Sequence, residues 1–140
     1  MRPVEADADN FYSWGTHCSG WRLLDIAHFQ VRQEAMPPGA AEEPHVHQEA
    51  HQFFYVLDGE MTLSTPENRH CIRPGQGIHV PPGRPHWVLN EGASDLIFIL
   101  ASSPSTSGDR IAVDTKDWDL TGIDDLRVRT VPGNRSSALD

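Results

Sequence analysis

Short segments rich in apolar and aromatic residues alternate with turn residues along most of the chain. The clearest segment is residues 52–57, Gln-Phe-Phe-Tyr-Val-Leu, whose aromatic and β-branched side chains favour a strand. Asp58-Gly59 follows as a hairpin signal, and residues 60–64 form the predicted return strand. Further strand-like segments occupy residues 21–33, 70–73, 77–80, 87–89 and 96–100. Regularly spaced short strands of this kind predict an all-β barrel or sandwich.

The length of 140 residues corresponds to one domain, which we divide into three parts. Residues 1–20 are polar with a few aromatic residues, and we expect an N-terminal arm that lies on the barrel or on a neighbouring subunit. Residues 21–110 carry the strand pattern and are the predicted barrel. In the C-terminal extension, residues 111–140, the pattern decays, and residues 135–140 are predicted to be disordered.

The charge balance limits the classes of partner. With 11 basic and 20 acidic residues the net charge is −9, which argues against a general surface for nucleic acid or anionic membrane. No apolar run approaches the ~20 residues of a membrane span, and the N-terminus lacks the apolar core of a signal peptide. We therefore expect a cytoplasmic protein in which Cys18 and Cys71 are reduced thiols.

Two histidines form the first candidate site. The chain carries Gly39, His45, His47, Gln52 and Gly59 in the pattern G-x5-H-x-H-x4-Q-x6-G. Residues i and i+2 of a strand share a face, so the two imidazoles can reach one ion at ~2.0–2.1 Å. Imidazole nitrogen suits Zn, Fe, Ni and Cu. The alternative for such a pair is two surface histidines beside a proline loop.

A third histidine follows a rigid corner further along the chain. Gly75, Pro81, Gly83, His86 and Asn90 form the pattern G-x5-P-x-G-x2-H-x3-N. Prolines restrict the backbone and a glycine permits a sharp turn, which together would aim His86 across a barrel. Asn90 is expected to hydrogen-bond local backbone rather than a ligand.

The two histidine segments together resemble the two sequence motifs of the cupin superfamily, over residues 37–100. The resemblance implies a small antiparallel cupin-type (jelly-roll) β-barrel with a metal site in its mouth. It also implies that the metal ligands are His45, His47, His86 and the residue at the acidic position of the first motif. Single-barrel members often pair, so a homodimer is the expected assembly.

The acidic position departs from the family pattern. The spacing from Gly59 puts Gln52 where most cupins have Glu, as in a group of small bacterial cupins that carry Gln there. Strand alternation sets Gln52, Phe54 and Val56 on one face and His51 on the other, so Phe54 is a candidate pocket residue. A bulge before the strand would reverse this phase and turn His51 inward.

A neutral ligand changes the expected chemistry. With Gln52 instead of a carboxylate, one divalent ion (Fe, Zn, Ni, Mn or Cu) would keep nearly its full charge and attract an anionic substrate oxygen. An amide oxygen is also a weak ligand, so Gln52 would bind the ion, hold a water or stay off the metal. The resulting open positions are typical of catalytic sites. The alternative is a degenerate barrel with little metal affinity.

The predicted function is a metal-dependent enzyme acting on a small organic, oxygen-rich or anionic substrate, such as a dioxygenase, isomerase or lyase. The catalytic acid–base group stays open among Glu34, Tyr55 and His79. The alternative is a non-catalytic module that binds or senses a small molecule, with a structural metal or none. Asp109 and Arg110 are interpreted as solvated charges.

Overall fold

The structure, a computed structural model, describes residues 1–129. Strands make up nearly all of its regular elements, because the chain is a series of short apolar segments cut by glycine and proline. The elements are β1 (Phe11–Trp14), β2 (Cys18–Ile26), β3 (Phe29–Met36), β4 (His45–Val46), β5 (His51–Asp58), β6 (Met61–Ser64), β7 (Arg69–Ile72), β8 (Gly77–Val80), β9 (Trp87–Leu89), β10 (Leu96–Ser103), β11 (Ile111–Ala112), β12 (Ile123–Asp125) and α1 (Leu126–Arg129).

The strands form three sheets. The largest has the order β1-β2-β3-β10-β5-β8, a second has the order β12-β7-β6-β9, and β11 pairs with β4. Every pairing is antiparallel except that of β12 with β7. The prediction of a small, largely antiparallel all-β barrel is confirmed.

The alternation predicted for β5 sets the inner and outer faces of the large sheet. Gln52, Phe54 and Val56 are buried, whereas Phe53 and Tyr55 are exposed. Side chains on the inner face pack with those of the opposite sheet into one apolar core, because both sheets present apolar residues inward. Members of this core are Cys18, Met36, Phe54, Val56, Met61, Leu63, Ile72, Val80, Val88, Leu96, Phe98 and Leu100.

The interior becomes polar toward one end of the barrel. Val56 lies opposite Phe98 in the β5–β10 pairing, and Phe54 lies opposite Leu100. Two residues nearer the start of β5, Gln52 lies opposite Ser102, and both are buried. Since buried polar groups need partners, this end of the barrel is where a site can form.

The N-terminal segment differs from the sequence prediction of an arm. The boundary expected at residue 20 falls inside β2, and β1 pairs with β2 along its whole length. Tyr12 lies opposite Gly20, where a β-carbon would overlap the Tyr12 ring. Because Gly20 has no side chain, the Tyr12 ring can lie over the inner face. Residues 11–20 are therefore part of the barrel wall.

Two strands of the C-terminal extension return to the barrel. β11 pairs with β4 beside His45, and β12 adds to the edge of β7. The tail predicted to be disordered, residues 135–140, lies outside the described residues. None of the helical structure between residues 1 and 129 has the length and apolar character that a membrane crossing requires.

Candidate metal centre

Three histidines from distant parts of the chain meet at the polar end of the barrel. His45 opens β4, His47 follows it, and His86 immediately precedes β9. The backbones of His45 and His86 exchange two hydrogen bonds of 3.0 and 2.9 Å, which fasten the two segments together. The ring centroid of His45 is 4.3 Å from that of His86 and 4.7 Å from that of His47. Each side chain is at most 4% exposed.

Backbone carbonyls fix the tautomer of each ring. The Nδ1 atom of His45 donates to the carbonyl of Glu43 at 2.8 Å, and that of His86 donates to the carbonyl of Arg84 at 2.9 Å. His47 Nδ1 donates to the carbonyl of Asp109. Because a carbonyl can only accept, all three Nδ1 atoms carry the proton and all three Nε2 atoms present a lone pair. Metal-binding imidazoles are oriented in this way in many proteins.

The free lone pairs converge where a cation fits. One ring nitrogen from each histidine lies within 4.8 Å of the others, and the Nε2 atoms of His45 and His47 are 3.1 Å apart. Two ligands at ~2.0–2.1 Å from one ion lie roughly 3 Å apart, which matches this separation. Burial lowers the pKa of His45 to about 3 and that of His86 to about 4, so no proton relieves the lone-pair repulsion at neutral pH. The three histidines therefore suit a divalent metal ion.

Gln52 completes the group of polar side chains. Its Oε1 atom lies 3.0 Å from His86 Nε2, and its Nε2 atom donates to Ser102 Oγ at 3.3 Å. Since His86 Nε2 is an acceptor, two acceptors face each other, and a shared cation would satisfy both. The structure thus brings Gln52 together with the three histidines in the arrangement that would provide a fourth ligand.

The competing candidate, His51, lies on the outer face of β5. Its ring stacks on that of His79 with centroids 5.1 Å apart, and the nearest ring nitrogens are 2.9 Å apart. No bulge interrupts the pairing of residues 52–55 with β8, so the alternation holds at the start of β5. His51 and His79 are therefore separated from the centre by the sheet.

A cavity of about 210 Å³ opens beside the centre. Phe54, the predicted pocket residue, contributes to its wall, and its ring meets that of His86 edge-to-face at 6.1 Å. The remaining wall combines apolar and charged side chains. The lining residues are Tyr12, Trp14, Arg32, Glu34, Glu42, His45, His47, Gln52, Phe54, Leu100, Ser102, Thr106 and Arg110.

Glu34, one of the acid–base candidates of the sequence analysis, lines the cavity, whereas Tyr12, Trp14 and Arg32 were not anticipated from the sequence. The hydroxyl of Tyr12 donates to Glu34 Oε2 across β2, and burial raises the pKa of both groups. The period-2 spacing of Arg32, Glu34 and the buried Met36 could have placed the first two on the inner face. No sequence signal indicated that Tyr12 and Trp14 reach the cavity, because their position depends on β1 joining the sheet.

Glu42 lies behind His45. Its Oε1 atom accepts the Val88 N–H at 3.2 Å and is 3.7 Å from His45 Nδ1. Burial raises the pKa of Glu42 to about 8 and lowers that of His45, so both groups favour their neutral forms. The contact is therefore a polar packing contact rather than an ion pair.

Asp109 is charged, as expected from the sequence, and it also has a structural role. Its carboxylate accepts hydrogen bonds from the N–H groups of residues 48–50 at 2.7–3.1 Å. Its backbone carbonyl accepts a hydrogen bond from His47 Nδ1. One residue thus holds both the ring and the turn that leads from His47 into β5. Arg110 lines the cavity instead of facing only solvent.

A three-histidine centre in the mouth of a small antiparallel barrel defines a class of barrels suited to metal binding. Within this class the chain belongs to the cupin family, since residues 32–102, about half of the chain, match the family's cupin domain. The resemblance drawn from the two histidine motifs is confirmed. Cupins commonly bind a metal ion, in agreement with the cluster of His45, His47 and His86.

Similar proteins extend this assignment at the level of the fold. An uncharacterized protein of Methanocaldococcus jannaschii is 26% identical over 77 residues, which are 55% of this chain and only 62% of that protein. A conserved protein with a double-stranded β-helix domain from Klebsiella pneumoniae subsp. pneumoniae has a TM-score of 0.68 at 17% identity, covering 81% of this chain and 99% of its own. The polyketide cyclase RemF from Streptomyces resistomycificus has a TM-score of 0.59 at 24% identity, covering 65% and 68%.

Proposed function

We propose that this protein is a metal-dependent cupin enzyme acting on a small organic substrate that is oxygen-rich or anionic. His45, His47 and His86 bind one divalent transition metal, of which Fe, Zn, Ni, Mn and Cu suit the ligands, and Gln52 supplies a fourth ligand. The observation that carries the proposal is the convergence of three buried Nε2 lone pairs beside an open cavity. RemF, an enzyme by its name, is built on the same fold.

The chemistry follows from the donor set and the cavity wall. A bound ion would act as a Lewis acid toward a substrate oxygen, and a bound iron would also support chemistry with O2. Three neutral imidazoles and a neutral amide leave its positive charge uncompensated, which favours anionic oxygens of the substrate. Trp14, Phe54 and Leu100 shield the substrate from water, and the Tyr12–Glu34 pair can hold or transfer a proton at Glu34 Oε2.

Metal analysis of matched variants tests the centre. We expect His86→Ala to lose the metal of the purified protein, because the variant removes one of three ligands. His51→Ala, the matched control on the outer face, should keep a wild-type metal content. Equal metal content in wild type and His86→Ala, measured by elemental analysis, would refute the proposed centre.

A turnover screen tests the catalytic part. The protein loaded with Fe(II) or Zn(II) is incubated with panels of diketones, catechols and sugar phosphates, and products are followed by mass spectrometry. Product formation that is lost in His86→Ala supports an enzyme, and the bond broken identifies a dioxygenase, isomerase or lyase. Saturable binding without product would instead identify a binding module.

A further inference from the structure

Several arginines outside the cavity form ion pairs with carboxylates, whereas the two arginines that line the cavity have no such pair within the described residues. In the described part of the chain, four arginines away from the cavity form ion pairs with carboxylates. These pairs are Arg69–Glu91, Arg73–Glu60, Arg73–Asp125, Arg84–Glu67 and Arg127–Asp125. Arg32 and Arg110, which line the cavity, have no carboxylate oxygen of residues 1–129 within ion-pair distance. Arg22, which does not line the cavity, also has no ion pair within this range and lies over the Tyr12 ring instead.

The sheet register holds Arg32 on the inner wall at an energetic cost. Arg32 lies opposite Leu100, and Leu100 lies opposite Phe54, so the guanidinium belongs to the row that reaches the centre. On its other side Arg32 lies directly opposite Arg22, and like charges in that position repel. The Tyr12 ring, 5.4 Å from Arg32 and 4.4 Å from Arg22, reduces this cost through cation–π contacts.

Arg110 reaches the cavity from the position just before β11, the strand that pairs with β4. Its Nη2 atom donates to the carbonyl oxygen of Glu43 at 3.3 Å, and the same oxygen accepts His45 Nδ1 at 2.8 Å. The guanidinium therefore lies beside the first metal-ligand candidate. One hydrogen bond uses one of its five N–H donors, which leaves donors for a ligand in the cavity.

Two carboxyl groups also line the cavity, and the arginine charges act on them without forming an ion pair. Glu34 accepts the Tyr12 hydroxyl, and Glu42 accepts the Val88 N–H. The planar donors of a guanidinium match a carboxylate in a bidentate way. The wall also contains Trp14, and a volume of about 210 Å³ is small compared with the roughly 300–1,000 Å³ of drug-sized pockets. These properties suit a small organic acid better than an inorganic anion.

We propose that Arg32 and Arg110 form a carboxylate-binding subsite beside the three histidines. The substrate is accordingly a small organic acid, held by its carboxylate at the arginines while another of its oxygens faces the histidine centre. The interpretation of this subsite as part of a substrate site rests on the proposed function. The arginines themselves are present with or without metal, so carboxylate binding can be measured separately.

Calorimetric titration of the chelator-treated, metal-free protein tests the subsite. The probes are acetate, malonate and succinate, with dimethyl succinate as an uncharged counterpart and inorganic phosphate as a competing anion. We expect saturable binding of at least one carboxylate, none of the ester, and weaker binding of phosphate. Arg110→Gln and Arg32→Gln should each lower the affinity for the carboxylate about tenfold, which is the effect expected from losing a hydrogen bond to a charged group. Arg127→Gln, an exposed arginine outside the cavity, should leave binding unchanged.

The outcomes separate this subsite from the metal proposal. Absence of saturable carboxylate binding to the wild type overturns the subsite, as does binding that survives both arginine variants or favours phosphate. Should Arg32→Gln fail to fold, as judged by its melting temperature, the exposed Arg110→Gln variant still decides the result. Loss of the metal centre would be detected by elemental analysis alone and would not alter these titrations.

Discussion

The side chain at position 52 sets the charge of the centre. The side-chain N–H of Gln52 donates a hydrogen bond to Ser102 Oγ, and this bond turns the Oε1 atom of Gln52 toward His86. A glutamate of the same shape could occupy the same place, with the Ser102 hydroxyl donating to it. The barrel is therefore compatible with an acidic side chain at this position but carries a neutral one, which in the proposed metal centre would increase the attraction for anionic substrates.

Gln52→Glu tests this reading of the fourth ligand. We expect the added negative charge to raise metal affinity at least about tenfold, since ligand charge contributes strongly to the binding of divalent ions. Competition with a fluorescent chelator measures the affinity. Gln33→Glu, which adds the same charge to β3 outside the cavity lining, should have little effect. An unchanged affinity in Gln52→Glu would show that position 52 does not contact the ion.

The buried imidazoles predict a pH dependence for the metal-free protein. Histidines of the unfolded chain protonate near pH ~6.5, whereas burial lowers the pKa of His45 to about 3 and of His86 to about 4. Below pH ~6.5 the unfolded state thus binds more protons, and the imidazole contribution to stability falls through the pKa of His86, about 4, and that of His45, about 3. Glu42 acts in the opposite sense, because its pKa is raised to about 8.

Comparison of variants isolates the imidazole part of this dependence. Melting temperatures of the metal-free wild type and His86→Gln are recorded from about pH 7.5 to about pH 4.5. The variant should lose less stability on acidification than the wild type, while His51→Ala should follow the wild type. Parallel curves for wild type and His86→Gln would contradict the neutral, buried state of His86.

At the scale of elements, the site depends on how loops are tied to strands. The Gly83 N–H donates to the His47 carbonyl at 2.7 Å, and the positive φ of 78° at Gly83 makes this approach possible. On the other side of His47, the loop before β11 supplies Asp109. Both motifs are therefore held by backbone contacts that do not involve the imidazole lone pairs.

Asp109→Ala should weaken the centre without touching a ligand. The variant removes the acceptor for the N–H groups of residues 48–50, so the turn after His47 loosens. We expect metal affinity to fall about 10–100-fold, as for other residues that orient metal ligands. Chelator competition measures the change, and Asp117→Ala, an exposed aspartate outside the cavity lining, is the control. Equal affinities in the two variants would remove the supporting role of Asp109.

At the scale of the whole molecule, several large apolar side chains are exposed on the outer face of the large sheet. Phe29, Phe53, Tyr55 and Leu57 are exposed on the large sheet, and contiguous apolar patches commonly mark interfaces. We propose that this face joins two copies of the chain in a homodimer. The outer position of these residues follows from the same alternation that turns Gln52 inward.

Light scattering tests the assembly. The wild type should have twice the mass of one chain, and Phe53→Glu should shift it toward the monomer because a charge would be buried at the interface. Leu120→Glu, an exposed position outside the large sheet, should remain dimeric. A monomeric wild type at high concentration would rule out the homodimer.

Much of this molecule follows from local sequence pattern. The alternation in residues 52–57 predicts which side chains turn inward, because the strand period of two acts over a few residues. The glycine and proline positions around His45, His47 and His86 indicate the turns of a cupin barrel, and the family assignment agrees with them. For the same reason Gln52 and Phe54 could be selected before their surroundings were known.

Only the tertiary structure decided what else surrounds the centre. Tyr12 joins the cavity because β1 pairs with β2 over Gly20, and Asp109 reaches His47 across 62 positions of the chain. Strand pairing and loop closure over such separations depend on the packing of the whole barrel, which no local pattern records. The sequence by itself therefore determined the fold, and it indicated the three histidines as the candidate metal ligands. The charged wall of the cavity was decided by contacts between segments that are remote along the chain.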